Sequence, residues 1–249
     1  MNINKYNNIA PIYNEFNVDF WGSKHQFLDV VFKSDSTKKI TLDLGCGTGI
    51  LLDYYEKFIS NYIGVDHSVE MLRIASNQYP NSHFINDNIC SYFNNDLKFD
   101  VVTSLFDTIN HLLDKKHWEQ LFKNVSLMLN DNGLFVFDIC TIKDLVDNWP
   151  DHLNIIDNDE SLIISKGEYN FESKISKIHH IHFYKNSNDN LYTRTDDSIE
   201  HISFDIDEII LMLNKVGFNN IEIQDLDTKT QINNDTNVAV FLCKKLLNE

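Results

Sequence analysis

Leu42-Asp-Leu-Gly-Cys-Gly-Thr-Gly49 is the stretch from which the fold of this chain can be read. The apolar run 40–44 closes on glycines, and Ile50-Leu-Leu-Asp-Tyr-Tyr55 after it has helical spacing, so the segment reads strand, tight turn, helix. In a doubly wound α/β sheet a nucleotide-like ligand sits at that junction. Gly45 and Gly47 can take backbone angles closed to other residues and let the main chain approach a ligand with no Cβ in the way. The N–H groups that open the following helix would face an anionic group. A tight turn without a ligand would use the same glycines.

Spacing separates the possible ligands. A dinucleotide fold needs Gly-x-Gly-x-x-Gly, whereas here Gly49 comes one residue early and Ile50 stands in the expected place. Asp43 stands two residues before the first glycine. The pattern Asp-x-Gly-x-Gly-x-Gly resembles motif I of the class I S-adenosylmethionine-dependent methyltransferases. The resemblance implies that the loop meets the methionine end of the cofactor, and that Asp43 interacts with its cationic end directly or through water.

Asn61-Tyr-Ile-Gly-Val-Asp66 is a second strand ending in a carboxylate. It falls about 20 residues beyond the glycines, where an acidic residue meets the ribose hydroxyls in nucleotide-binding βαβ units. The two carboxylate oxygens can accept from both hydroxyls. Ser68 reads as the N-cap of a helix over 69–77 that ends before Pro80. Val65-Asp-His-Ser-x-x-Met-Leu72 resembles the family's second motif and adds His67 and Met71 to the cofactor residues. A third strand begins at His83, and the family places an Asp at its end to accept from the adenine amino group, with the next residues covering the ring. Here those are Asp87, Asn88 and Ile89. A fourth strand over 99–107 includes Leu105, and its carboxyl end should lie beside the transferable methyl.

Near the start, Tyr6 and Tyr13 are seven apart and share a face if the segment is helical. They are either aromatics packed on the body or, since Tyr-x-x-x-Ala-x-x-Tyr resembles the N-terminal lid of many small-molecule methyltransferases, a closure in which Tyr13 covers the cofactor. Residues 21–32 read as a second amphipathic helix. A helix over 115–129 carries Trp118, Leu121, Phe122, Val125 and Leu129 on one face, and Asn130-Asp-Asn-Gly133 reads as a turn into a fifth strand over 134–139, with Asp138 at its end. Alternating segments over 162–171, 174–185 and 191–204, with a polar turn at 186–190, predict an antiparallel insertion. A helix over 207–216 stopped by Gly217 and strands over 220–227 and 237–244 follow.

The expected fold is therefore α/β, a doubly wound, mostly parallel seven-stranded sheet with helices on both faces plus a small antiparallel β insertion. Its parts are a helical lid (1–35), a cofactor-binding core (36–148), the insertion over the acceptor side (149–204), and a helix and hairpin completing the sheet (205–249). The insertion is also where two copies could meet as a homodimer.

A chain of 249 residues can bury one large core. No apolar run approaches the roughly 18 residues of a membrane span, and Met1-Asn-Ile-Asn-Lys-Tyr6 lacks the charged region and apolar core of a secretory signal. A cytoplasmic protein with no membrane partner is expected. Cys46, Cys90, Cys140 and Cys243 have no metal-type spacing and read as reduced, partly buried thiols. A net charge of −16, with Arg73 and Arg194 the only arginines, argues against a nucleic-acid partner, whose affinity comes largely from Lys and Arg on phosphates.

Methyl transfer from a sulfonium is an in-line displacement, so the protein chiefly positions the acceptor and excludes water. For a hydroxyl or ammonium acceptor a base must take the proton, and His111 with Asp107 is the best-placed candidate after the fourth strand. The other reading of His111 is a histidine satisfied at a helix start. Phe106-Asp-Thr-Ile-Asn-His-Leu112 resembles a segment common in bacterial methyltransferases of small molecules, including those that methylate the amines of glycine-like acids or amino sugars. The cofactor implied is S-adenosylmethionine, with S-adenosylhomocysteine as product, and the partner a small-molecule acceptor. O-methylation and a non-catalytic cofactor-binding role are the alternatives. No metal is expected: Asp138 stands without neighbouring carboxylates, and strand alternation puts His179 on the face opposite His180 and His182.

Overall fold

The computed structural model describes residues 6–10, 13–14, 25–34, 36–157, 159, 161–186 and 191–245. Among them the strands are β1 (Lys39–Leu44), β2 (Ile59–Asp66), β3 (His83–Asn86), β4 (Phe99–Ser104), β5 (Leu129–Cys140), β6 (Leu153–Asp157), β7 (Ser161–Asn170), β8 (Ile175–Lys185), β9 (Tyr192–His201), β10 (Phe218–Asp225) and β11 (Val238–Lys245). The principal helices are α1 (Ile50–Tyr55), α2 (Val69–Gln78), α3 (Lys115–Met128), α4 (Ile142–Asp147) and α5 (Ile206–Lys215).

The main sheet is seven-stranded in the order β10-β11-β5-β4-β1-β2-β3. Strands β3, β2, β1, β4 and β5 pair in parallel, and β11 joins β5 and β10 antiparallel. The order reverses at β1, which lies between β2 and β4, so the crevice over its carboxyl end is a topological switch point.

Each strand feeds two cores because successive side chains point to opposite faces. Phe135, Phe137 and Ile139 enter the core under α3 and α5, with Trp118, Leu121, Phe122 and Val125 of α3 and Ile209 and Leu213 of α5. Val136 enters the other, with Leu51, Leu52 and Tyr55 of α1, Leu72 of α2, and Leu28 and Phe32. The helix ends follow local chemistry. Ser68 Oγ accepts from Met71 N at 3.2 Å at the start of α2, Asp114 Oδ1 accepts from Lys116 N at 2.9 Å at the start of α3, and Gly217 (φ 99°) ends α5.

Four expectations need correction, and one helix went unread in the sequence. The polar run 130–133 is an irregularity inside β5: pairing with β4 jumps from Phe99↔Leu129 to Val101↔Leu134, and Asn130 Nδ2 bonds Asp100 Oδ1 across the strands at 2.8 Å. Strand β4 ends at Ser104, not at 107, because Phe106 and Asp107 both take positive φ (59° and 49°), which no strand accommodates. The insertion is a separate sheet of four strands, β6-β7-β8-β9; β6 hid because it exposes Leu153 and Ile155 and so lacks an apolar-in pattern. Helix α4 has six residues, too few to show a period. Of the helix expected over 21–32, residues 21–24 lie outside the described residues, and the rest is a 3-10 turn (His25–Leu28) running into one α turn (Asp29–Phe32).

Of the turn at 186–190, residues 187–190 likewise lie outside the described residues. No helix among the described residues is long and apolar enough to cross a membrane.

Candidate functional site

The loop after β1 is set by two hydrogen bonds to one acceptor, Gly45 N and Cys46 N donating to Val65 O of β2 at 2.7 and 3.1 Å. Gly45 and Gly47 hold φ of 80° and 52°, and a Cβ on Gly45 would overlap the Thr108 side chain. Both positions need glycine for the left-handed backbone, and Gly45 also for the close approach of the chain after β4. Asp66 at the end of β2 fastens the loop from the other side, its Oδ2 accepting from Gly47 N at 2.9 Å and its Oδ1 from Ser68 N at 2.8 Å. Each oxygen keeps a second lone pair, so the carboxylate can still accept from two hydroxyls. Burial pushes Asp66 above the ordinary carboxylate range, and the Ser68, Gly47 and His67 amides pull the other way.

Above this loop lies a cavity of about 630 Å³. One half is walled by Gly45, Gly47, Asp66, His67, Ser68 and Met71, with Asn88 and Ile89 beyond β3. The other half is walled by Phe106, Thr108, His111, Asp114, His117 and, from β9, Glu200. Tyr6 and Tyr13 close it, their rings 6.1 Å apart on one side of the N-terminal segment. That segment is pinned to the loop by Thr48 Oγ1 donating to Asn14 Oδ1 and to the cap of α2 by Ser68 Oγ donating to Asn7 Oδ1, both at 2.6 Å.

The expected site residues divide accordingly. Tyr13, Gly45, Gly47, Asp66, His67, Met71, Asn88, Ile89 and His111 line the cavity; Asp43, Asp87, Leu105 and Asp107 are not among its lining residues. Asp43 points into the sheet, where Tyr62 OH donates to its Oδ2 (2.8 Å) and Thr103 Oγ1 to its Oδ1 (2.7 Å), and burial pushes it up to about 6. Asp87 is exposed and accepts from Asn88 N at 2.7 Å. Leu105 is buried one residue before Phe106, which reaches the wall in its place. No sequence signal marks Phe106, since its left-handed backbone is imposed by the site.

His111 closes a 3-10 turn (Thr108–His111). Its Nε2 meets Tyr6 OH at 2.9 Å and His201 Nε2 at 3.1 Å, and His201 Nε2 also lies 3.1 Å from Asp107 Oδ2. Burial, then the charges of Asp138 and Asp144, push Asp107 well up. Asp138 is not isolated as expected: its Oδ1 accepts from Asp107 N at 3.3 Å, and burial pushes it up to about 7.

His201, Glu200 and His117 were not singled out from the sequence, because nothing in their spacing ties them to the motifs; Tyr6, read there with Tyr13 as one face of the N-terminal segment, lines the cavity as well. Two polar atoms of wall residues, His67 Nε2 and His117 Nδ1, are buried without a hydrogen-bond partner among the described residues, as expected where a polar ligand completes the bonding. With the spare lone pairs of Asp66, they make the cavity fit a polar, hydroxyl-bearing cofactor.

In the inserted sheet, His179 Nε2 meets Glu168 Oε1 at 3.1 Å while His180 Nδ1 meets Ser165 Oγ at 2.9 Å. Among the described residues no group of three or more His, Cys, Asp or Glu could hold a metal ion.

Residues 41–133 match the family model described as a methyltransferase domain. The chain is 30% identical over 181 residues to the putative methyltransferase YqeM of Bacillus subtilis (strain 168), covering 71% of this chain and 72% of that protein. A crystal structure of an S-adenosylmethionine-dependent methyltransferase from Clostridium acetobutylicum ATCC 824 superposes with a TM-score of 0.80 at 24% identity, covering 98% of this chain and all (100%) of the other. A sugar N-methyltransferase from Streptoalloteichus sp ATCC 53650 shares the fold with a TM-score of 0.72 at 15% identity, 93% of each chain being covered.

Proposed function

The chain belongs to the class I S-adenosylmethionine-dependent methyltransferases, and we propose that it methylates the nitrogen of a small-molecule amine. The observation that carries this reading is the charge of the cavity wall: Asp66, Asp114 and Glu200 line it, and among the described residues no Lys or Arg does. An ammonium group is attracted by such a wall, whereas a phosphate or carboxylate acceptor would meet like charge and no fork of donors. The sugar N-methyltransferase noted above acts on an amine with the same fold, which supports the choice of nitrogen.

Bound S-adenosylmethionine supplies an electrophilic methyl group on a sulfonium. The residues around it bind and orient. Asp66 would accept from the ribose hydroxyls, Asn88 and Ile89 would flank the adenine, and Gly45 and Gly47 would let the main chain approach the methionine end. Tyr6 and Tyr13 would exclude water. His111, on the cavity wall after β4, takes the proton that an ammonium must lose before its nitrogen can attack.

The test is incubation with S-adenosylmethionine and matched panels of small amines, amino sugars and the corresponding alcohols, with products read by mass spectrometry. Methylated amines are expected. Products confined to the alcohols would overturn the choice of nitrogen, and S-adenosylhomocysteine failing to bind in calorimetry would overturn the cofactor assignments of these residues.

A further inference from the structure

The inserted sheet has two unlike faces. Side chains alternate across each strand, and the register of β6, β7, β8 and β9 assigns each residue to a side. One face carries Ile163, Ser165, Ser176, His182, Ile199 and His201, and every buried residue of the four strands lies on it. This face meets the core: Ser176 Oγ donates to Leu145 O at 2.8 Å, and the His201 ring stands 4.5 Å from that of Trp149.

No residue on the opposite face is buried, yet its centre is apolar. One row across the strands reads Asp157, Leu162, Phe183, Arg194. The next reads Ile155, Ile164, Ile181, Asp196. Leu153 extends the apolar block along β6, and it and Ile155 are 65% and 57% exposed. An antiparallel sheet with one face in water carries polar side chains on that face. A contiguous apolar block with a charged rim is instead the mark of an interaction surface.

We propose that this face binds the same face of a second copy of the chain, the two sheets stacked about a two-fold axis that runs along the strands between β7 and β8. Such an axis leaves the strands of the two sheets aligned, within the about 30° that stacked sheets adopt. It reverses the strand order, so β7 lies over β8 of the second copy and β6 over its β9. Apolar side chains then meet apolar ones, Leu162 over Phe183 of the second copy and Ile164 over its Ile181. At the rim, Asp157 lies over Arg194 of the second copy and Glu168 over its Lys177, and symmetry repeats each pair. The contact is isologous and closes on itself.

Charge and size both point to this occupant. The chain has 37 acidic against 21 basic side chains, so two copies repel over most of their surface. On this face the signs balance: Lys166, Lys177, Lys185 and Arg194 stand with Asp157, Glu168, Asp196 and Glu200. A strongly acidic or basic partner finds no excess of opposite charge there, whereas a second copy finds its complement at matched positions. Arg194 is already held flat on the face, its guanidinium 5.8 Å from the Phe183 ring centre and 2.7 Å from Asp196 Oδ1. With strands about 4.8 Å apart and about 3.4 Å per residue, the face covers roughly 500 Å² in projection. Side chains standing off the sheet bring its accessible area toward the ~800 Å² that each partner gives to a standard interface. Ser198 and Glu200, at the β9 edge of this face, also line the cavity, so the second copy borders the acceptor half.

Sedimentation velocity over a range of protein concentrations tests the proposal. The wild type should pass from 29.1 kDa to twice that mass, with a Kd in the micromolar range. Ile164→Glu, at the centre of the face and away from the cavity lining, should stay monomeric while circular dichroism shows the fold kept. Asp157→Arg should weaken the dimer roughly tenfold or more, since like charges then oppose each other at both symmetric positions. Adding Arg194→Asp should restore it, because the pair is reversed rather than lost. A wild type that stays monomeric up to millimolar protein, a dimer unaffected by Ile164→Glu, or a double variant no tighter than Asp157→Arg alone overturns the proposal. If Ile164→Glu does not fold, the exposed Asp157→Arg and its rescue decide alone.

Discussion

Replacing Asp66 with Asn keeps the shape of the side chain but removes its charge and half its accepting capacity, which makes the consequences separable. In the folded protein the carboxylate accepts from Gly47 N at 2.9 Å and Ser68 N at 2.8 Å, leaving one lone pair on each oxygen for the ribose. Hydrogen bonds to a charged acceptor contribute about 1.5–3 kcal/mol each. Loss of the charge and of one acceptor oxygen weakens both ribose bonds, so about 3–6 kcal/mol of binding is at stake, which is roughly a hundred- to ten-thousandfold in Kd.

Stability should respond less. An Asn oxygen can serve one amide while its NH₂ opposes the other, a loss of about 1.5–3 kcal/mol. Against this, the protein no longer buries a carboxyl whose ionised form the site disfavours, as its upward shift records. Isothermal calorimetry with S-adenosylhomocysteine and thermal melting of the same samples separate the two effects. A folded Asp66→Asn protein that binds within threefold of wild type, roughly 0.6 kcal/mol, would refute the assignment of this strand end to the ribose.

Stability should also depend on pH in a set direction. Asp43 and Asp138 are pushed up to about 6 and about 7 by burial, above the unfolded value near 4, so folding favours their protonated forms. Their contribution is complete below about pH 4 and is lost as pH rises through about 6 and about 7. The shift of Asp138 sets a ceiling of about 4 kcal/mol, of which relaxation and water entry should leave ~1–2. Urea unfolding across this range should show the decline, and Asp138→Asn, whose oxygen can still accept from Asp107 N, should flatten its upper part; an equally steep decline in the variant would remove Asp138 as its source. His111→Asn should lower turnover on the amine found in the product screen by roughly a hundred- to ten-thousandfold, flatten the acid limb of the pH profile and leave S-adenosylhomocysteine affinity unchanged. Wild-type turnover with an unaltered profile would leave His111 a structural residue.

The sequence by itself determined the parts whose information is local. Glycine spacing after an apolar run specifies a left-handed turn, the apolar run itself marks 40–44 as a strand, and the spacing from Gly45 to Asp66 is that of a nucleotide-binding βαβ unit. These rules act through backbone angles and side-chain periodicity within a few residues, so the strand-turn-helix at 42–49, the cap at Ser68 and the stripe Trp118, Leu121, Phe122, Val125 could be read without coordinates.

Only the tertiary structure decided which groups meet. Asp43 carries the motif's carboxyl but spends it on Tyr62 and Thr103, a choice made by the packing of β1 between β2 and β4. Phe106 and Asp107 take left-handed backbone without a glycine because the chain must turn across the loop at Gly45. His111 and His201 meet because the Asn110 side chain joins Ile202 to Cys140. Spacing encodes nothing about pairs so far apart; their distances are set when the inserted sheet docks on the core, through partner bonds and excluded volume that exist only in the folded chain.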